Sequence, residues 1–204
     1  MRAHTAFSAL RRTCAAAMLA LPALALAAYP EKPITIIVPF AAGGPTDVLT
    51  RVIAERMARE LAQPMIVENT PGAGGTVGNA RAARAKPDGY TVLAGNVGTL
   101  AASNSFYRKL PYDMHKDFVG IASIGDAPQI VSARKDFPPT GLEALHDYVK
   151  PQESKVNFGA AGVGSGSYLG GVLLNNALGL NVEAINYRGA GQALTDVIAG
   201  HVDY

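Results

Sequence analysis

Hydrophobic and polar positions come in alternating blocks along this 204-residue chain, and the blocks read as strands and helices in turn. Ile34–Phe40 is β-branched and almost wholly apolar, which suits a strand buried on both faces. The next segment carries Leu49, Ile53, Met57 and Leu61 at four-residue steps, with Val48 and Val52 beside them. Arg51, Glu55, Arg56, Arg59 and Glu60 cover its other faces, so it predicts an amphipathic helix that Gln63-Pro64 ends. Met65–Glu68 predicts a second strand, an Ala- and Arg-rich stretch to about Lys86 a second helix, and Tyr90–Gly95 a third strand after the turn Pro87-Asp-Gly89. Asn96–Asn104 reads as a small-residue loop. Val119–Ile124 and Gln129–Ala133 predict two strands around Gly125-Asp126. A helix over Thr140–Val149, a strand over Val156–Phe158, a loop over Gly159–Ser167 and a helix over Tyr168–Leu178 follow. Val182–Tyr187 predicts a strand, Gly189 a turn, Ala190–Ala199 a helix, and His201–Tyr204 a strand just starting. This is the βαβ grammar of a doubly wound α/β protein, with room for two lobes hinged near Ile124–Gln129.

Four of these strand–helix junctions are rich in glycine: Ala41–Asp47, Pro71–Gly75, Ala161–Ser167 and Tyr187–Gly191. Such a junction points backbone N–H groups at one spot and favours an anion there. In the first, Pro45 and Asp47 suit the opening turn of a helix, a reading that leaves the N–H groups of Gly43, Gly44 and Thr46 open to anion binding. Asp47 is expected to order the turn or hold water rather than touch an anion. In the third, Ser165 and Ser167 read either as helix caps or as ligand-facing donors. In the fourth, Arg188 is a carboxylate partner or a solvated loop arginine, and the Tyr187 hydroxyl reaches a ligand or packs.

The first 28 residues change the charge. Arg2, Arg11 and Arg12 precede an apolar run from Cys14 to Ala28, the pattern of a secretory signal peptide cleaved near Ala27 or Ala28. Its loss takes Lys+Arg from 18 to 15 against 16 Asp+Glu, and the net charge from +2 to −1. The apparent basicity then gives no reason to expect nucleic acid or a membrane surface as partner. Cys14 is the one cysteine, so the mature chain has no disulfide and no thiol nucleophile, which suits an exported protein of the bacterial periplasm.

Several chemistries are disfavoured. Gly72-Ala-Gly-Gly-Thr-Val-Gly78 looks like a dinucleotide fingerprint, but it follows the second strand and lacks the acidic residue expected downstream, where Gly95-Asn96 stands. There is no P-loop, and Val163-Gly-Ser-Gly-Ser167 does not match a hydrolase elbow. His115, His146 and His201 lack metal spacing. No cofactor, metal or catalytic residue is expected.

Tyr29-Pro-Glu-Lys-Pro33, Val38-Pro-Phe-Ala-Ala-Gly-Gly44 with Thr46-Asp47, Glu68-Asn-Thr-Pro-Gly-Ala-Gly-Gly75, Lys86-Pro-Asp-Gly-Tyr90, Leu110-Pro-Tyr-Asp113 with Lys116-Asp117-Phe118, Asn157-Phe-Gly159 and Ala193-Leu-Thr-Asp196 occur in order. The mature chain thereby resembles the Bug-type solute-binding receptors of tripartite tricarboxylate transporters. The resemblance implies an α/β, two-lobed periplasmic-binding-protein type II-like fold. Residues 29–125 would belong to the first lobe and 126–204 to the second. It implies a small organic carboxylate held largely by backbone N–H groups and water, and membrane transporter subunits as partners. It assigns ligand roles to Phe40, Ala41, Gly43, Gly44, Thr46 and Asp47, with Gly74 and Gly75 nearby. It extends them to Asn96 and Thr99, to Gly164, Ser165 and Ser167, and to Tyr187, Gly189 and Ala190.

The chain departs from the family pattern at Tyr168, where His is usual, at Pro45, and at the bulkier Val163. Family members also continue for roughly another hundred residues past Tyr204, so the resemblance predicts a fold incomplete at the C-terminus. Bare sheet edges, exposed apolar helix faces, weak binding and aggregation are expected of the isolated chain. Two rival readings are a periplasmic sensor that presents its closed form to a histidine kinase, and an α/β enzyme acting on a phosphorylated substrate.

Overall fold

A computed structural model describes residues 29–126 and 128–204; the expected signal peptide, residues 1–28, lies outside them. Lys32–Tyr204 packs as one unit that contains two parallel sheets.

The first sheet has the order β2-β1-β3, with β1 at Ile34–Val38, β2 at Met65–Asn69 and β3 at Thr91–Leu93. The apolar run becomes the central strand, as its composition requires. Ile34 pairs with Met65, and Thr35 with both Ile66 and Thr91. Helix α1 (Pro45–Leu61) starts with proline at its first turn, where a missing N–H costs nothing. It ends at Ala62, whose φ of 49° is left-handed, just before Gln63-Pro64. Helix α2 (Thr76–Ala83) leads to β3.

The buried line of α1 runs through Asp47, Thr50 and Ala54, while Val48, Leu49 and Val52 stay exposed. The expected stripe of larger residues is displaced sideways, with Ile53, Met57 and Leu61 half-buried. Small side chains face the sheet because they let the helix approach closely.

Asn96–Asn104 is not a loop. A wide π turn over Gly98–Ala102 runs into the short helix α3 (Ser103–Phe106). The Asn96 carboxamide oxygen accepts from the Gly98 and Thr99 N–H groups, and Thr99 Oγ1 accepts from the Asn96 N–H in return. That is a reciprocal cap, and it converts a polar stretch into a helix start.

The strands expected at Val119–Ile124 and Gln129–Ala133 are absent among the described residues. Val119, Ile121 and Ile130 are 90%, 79% and 81% exposed. A β-branched pattern becomes a strand only when another strand takes its hydrogen bonds, and none does so here.

Helix α4 (Leu142–Val149) and a 3₁₀ turn over Lys150–Lys155 lead to the second sheet. It pairs β4 (Asn157–Ala160) with β5 (Glu183–Asn186), Phe158 opposite Ala184. Helix α5 (Gly166–Ala177) follows β4, and α6 (Ala190–Ala199) follows β5. A Cβ on Gly171 of α5 would lie 2.3 Å from the Phe158 ring, so only glycine lets α5 sit on β4. Phe158 stacks on Tyr204 with centroids 6.0 Å apart, inside a core that includes Phe137, Leu145, Val149, Val156 and Leu180. Residues 201–204 run beside β4: Gly159 donates its N–H to the Tyr204 carbonyl at 2.7 Å, and Asn157 donates its own to Asp203 Oδ2 at 3.0 Å.

A separate core joins the two sheets. Ile36, Val38, Phe40, Ala54 and Ala94 pack with Ala161, and Ala190 sits against them. The loops leaving β1, β3, β4 and β5 at their C-terminal ends therefore meet in one place.

Candidate functional site

In parallel α/β sheets the crevice outside the carboxyl ends of the strands is the usual ligand position. That crevice is closed here by direct contact between loops. A Cβ on Gly44 would lie 3.9 Å from the Ala190 nitrogen, one on Gly191 3.5 Å from the Gly43 carbonyl, and one on Gly189 3.0 Å from Ala41 Cβ. Ala41 donates its N–H to the Arg188 carbonyl at 3.1 Å. The N-termini of α1, capped by Gly44, and of α6, capped by Gly189, thus face each other almost in contact. Neither has a side-chain cap. Each brings first-turn amides without an intrahelical partner and a positive end of its dipole. Two such ends at one spot repel, and an anion between them relieves the repulsion.

The turn before α1 is ordered by a polar network. Gly43, at φ 84°, donates its N–H to Asp47 Oδ2 at 2.9 Å. Asp47 is only 3% exposed. Arg51 Nε donates to both its oxygens at 3.1 Å, and Arg51 Nη2 lies 3.0 Å from Oδ1. Asn69 Nδ2, from the end of β2, donates to Asp47 Oδ1 at 2.9 Å and to the Phe40 carbonyl at 3.0 Å. Arg51 Nη2 closes the circuit on Asn69 Oδ1 at 2.9 Å. Burial pushes the Asp47 carboxyl up, but the hydrogen bonds from Arg51, Gly43 and Asn69 and the Arg51 charge outweigh it and hold the group below its ordinary value. Asp47 therefore orders the turn, and the Gly43 N–H is spent on it. Gly44 remains beside the start of α6. The Thr46 carbonyl takes the Thr50 hydroxyl at 2.6 Å.

The other loops interlock as well. A Cβ on Gly74 would fall 1.8 Å from the Val163 carbonyl, and one on Gly98 2.5 Å from the Gly166 nitrogen. Gly74 has φ 60° and Gly75, packed on Thr99, φ 101°. Tyr107 donates its hydroxyl to the Val163 carbonyl at 2.8 Å, and burial pushes its pKa up. Gly164 sits under Phe106 and Tyr107. Ser165 caps α5, accepting the Tyr168 N–H at 3.2 Å, and Ser167 Oγ accepts the Ala161 N–H at 3.0 Å. The two serine hydroxyls are 3.2 Å apart. Ser165 is the cap of α5, and Ser167, inside the helix, ties down the Ala161 end of the loop.

Most of the residues singled out in the sequence meet at this junction: Phe40 through Asp47, Gly74, Gly75, Asn96, Thr99, Gly164, Ser165, Ser167, Gly189 and Ala190. Tyr187 points elsewhere. Its hydroxyl donates to Asp196 Oδ2 at 2.6 Å, and this bond, with burial and the Asp196 charge, pushes its pKa up to about 12. Arg188 gives its carbonyl to the junction and also lines an open cavity of about 590 Å³ beside α6, with Asn186, Tyr187, Gln192, Thr195 and Asp196. Sequence reading missed Arg51, Asn69 and Tyr107. The four-residue spacing of Asp47 and Arg51 on a helix was the available signal for the first; Asn69 and Tyr107 act across the fold and had none. Among the described residues no three His, Cys, Asp or Glu side chains converge as a metal site, and no helix is long and apolar enough to cross a membrane.

The fold is of the periplasmic-binding-protein type, and comparison with known proteins agrees. The family model described as "Tripartite tricarboxylate transporter family receptor" matches residues 49–204. A UPF0065 protein of Agrobacterium vitis is 42% identical over 175 residues, which are 86% of this chain and 50% of the relative. BugT of Bordetella pertussis is 35% identical over 85% of this chain and 54% of its own length. MatC from Rhodopseudomonas palustris, solved with bound malate, is 41% identical with a TM-score of 0.83, over 86% of this chain and 60% of that one. An R. palustris protein solved with adipate is 30% identical with a TM-score of 0.82, over 86% and 58%. The chain belongs to the tripartite tricarboxylate transporter receptor family, whose members are periplasmic solute-binding proteins. It spans about half the length of the first curated relative.

Proposed function

We propose that this chain is the ligand-capturing part of an extracytoplasmic receptor for a small organic carboxylate, which it delivers to the membrane subunits of a tripartite tricarboxylate-type transporter. The observation that carries the reading is the convergence of the α1 and α6 N-terminal turns, where a Cβ on Gly44 would lie 3.9 Å from the Ala190 nitrogen. Once these loops part, a carboxylate between them accepts from first-turn amides of both helices and offsets both dipoles. Closing over a ligand dries the cleft, and such hydrogen bonds gain strength there. MatC, with malate, and the R. palustris protein with adipate make aliphatic dicarboxylates the first candidates. In this reading the junction supplies backbone donors, and the ligand is bound and released unchanged.

Isothermal titration of this chain with malate, adipate, citrate and a neutral control of similar size tests the reading. Saturable binding of an acid, with no response to the neutral control and no chemical change in the recovered acid, supports it. Turnover of the acid, or binding of the neutral control alone, refutes it.

A further inference from the structure

The Asp47 network places a negative charge beside the site proposed for a negative ligand. A carboxylate in the first turn of α1 suits the dipole of that helix but repels a second carboxylate bound next to it. The surrounding groups answer this conflict. Arg51 reaches both Asp47 oxygens and the Asn69 carboxamide, and Asn69 ties Asp47 to the Phe40 carbonyl at the end of β1. Asp47 in turn holds the Gly43 N–H.

We propose that Arg51 and Asn69 are positioning residues of the carboxylate site: Arg51 neutralises the charge of Asp47 and, with Asn69, clamps Asp47 on Gly43, so that the turn keeps Gly44 and Thr46 aimed at the opposite loop without repelling the ligand. The proposal rests on the receptor reading above. The charged groups around Asp47 are few. Arg51 lies on its own helix. On β2, Glu68 is next to Asn69 in sequence and is paired with Arg81 of α2. Arg188 belongs to the facing loop, lines the cavity beside α6, and makes no ion pair with Asp47. Arg51 is thus the one cation in contact with Asp47 among the described residues. Its own side chain is half exposed, so replacing it leaves the core intact.

The test compares Arg51→Gln, Arg51→Lys and Asn69→Ala with the unaltered chain. Two readouts need no ligand: carbon NMR of the Asp47 carboxyl against pH, and hydrogen exchange of the Gly43 amide. In Arg51→Gln the Asp47 midpoint moves upward, because burial and two hydrogen bonds remain while the cation is gone. Gly43 exchanges about tenfold faster in Arg51→Gln and in Asn69→Ala. The third readout is calorimetric titration with malate and adipate from pH 5 to pH 8. Arg51→Gln loses about five- to tenfold in affinity at pH 7, and Arg51→Lys restores most of it by charge alone.

An unchanged Asp47 midpoint and unchanged Gly43 exchange in Arg51→Gln overturn the proposal. So does an affinity equal to that of the unaltered chain at every pH. If the unaltered chain binds neither acid, the dicarboxylate reading fails by itself, and the two ligand-free readouts still decide whether the clamp exists.

Discussion

Helices α1 and α6 open on the same junction but carry different first turns. The first turn of α1 holds its own carboxylate, Asp47, fixed by Arg51 and Asn69. That of α6 holds no acidic residue; Gln192 Oε1 accepts the Arg188 N–H at 3.2 Å, and the Gly191 carbonyl accepts the Thr195 hydroxyl at 3.0 Å. One helix start carries a carboxylate of its own, and the other carries none. The difference teaches that backbone dipoles alone do not distinguish a built-in partner from a ligand; the side chains of the first turn do.

The comparison can be broken most severely at the contact itself. Gly74→Ala puts a methyl group into the Val163 carbonyl at a backbone conformation that alanine rarely adopts. Acid binding should fall by about a hundredfold or more, since the loops can no longer meet. Calorimetry checks this, with circular dichroism to confirm that the chain still folds.

Asp47→Ala removes the internal partner of α1. It leaves the Gly43 N–H and the Asn69 amide short of an acceptor and Arg51 without its anion, so denaturant unfolding should register a loss of about 2–3 kcal/mol. The same group sets a pH dependence. Its native pKa is lower than its unfolded one, so its contribution is present above the ordinary carboxylate range and is lost as pH falls from that range through the lower native value. Melting temperature should drop through that acid window in the unaltered chain, and by less in Asp47→Ala.

Gln192→Glu makes α6 resemble α1 without changing shape. The new carboxylate can still accept from the Arg188 N–H. It should add about 0.5 kcal/mol of stability through the dipole and cost several-fold in acid affinity, opposite signs from a single atom exchange. Tyr107→Phe acts on the loop contact from outside the two helix starts. Losing the bond to the Val163 carbonyl should weaken the join between the two sheets by about 1 kcal/mol, seen as faster release of a bound acid in stopped flow.

Much of this was legible in the sequence. The apolar Ile34–Val38 run, the proline and glycine punctuation of α1, and the two later βα units all follow from local rules that the tertiary structure does not override. The ordering role of Asp47 followed from its place in a first turn. What was not legible depends on partners distant in the chain. Val119–Ile124 has the composition of a strand, but composition does not supply the neighbour that takes its hydrogen bonds. Leu49 looked like core, yet Thr50 and Ala54 face the sheet because closeness selects size over hydrophobicity. Tyr187 reads as reaching a ligand or packing, and its hydroxyl goes to Asp196 in the second turn of α6. The Asn96–Thr99 cap was present as a polar pair three residues apart and passed for a loop because its residues are small.

The central claim is that a carboxylate sits between the α1 and α6 N-termini. The most direct test is nitrogen–proton NMR of the labelled chain titrated with malate and adipate. The account predicts saturating shifts at the Gly44, Thr46, Ala190 and Gly191 amides, with Gly43 moving little because Asp47 holds it. Shifts confined to Asn186, Arg188 and Thr195, around the cavity beside α6, would contradict it.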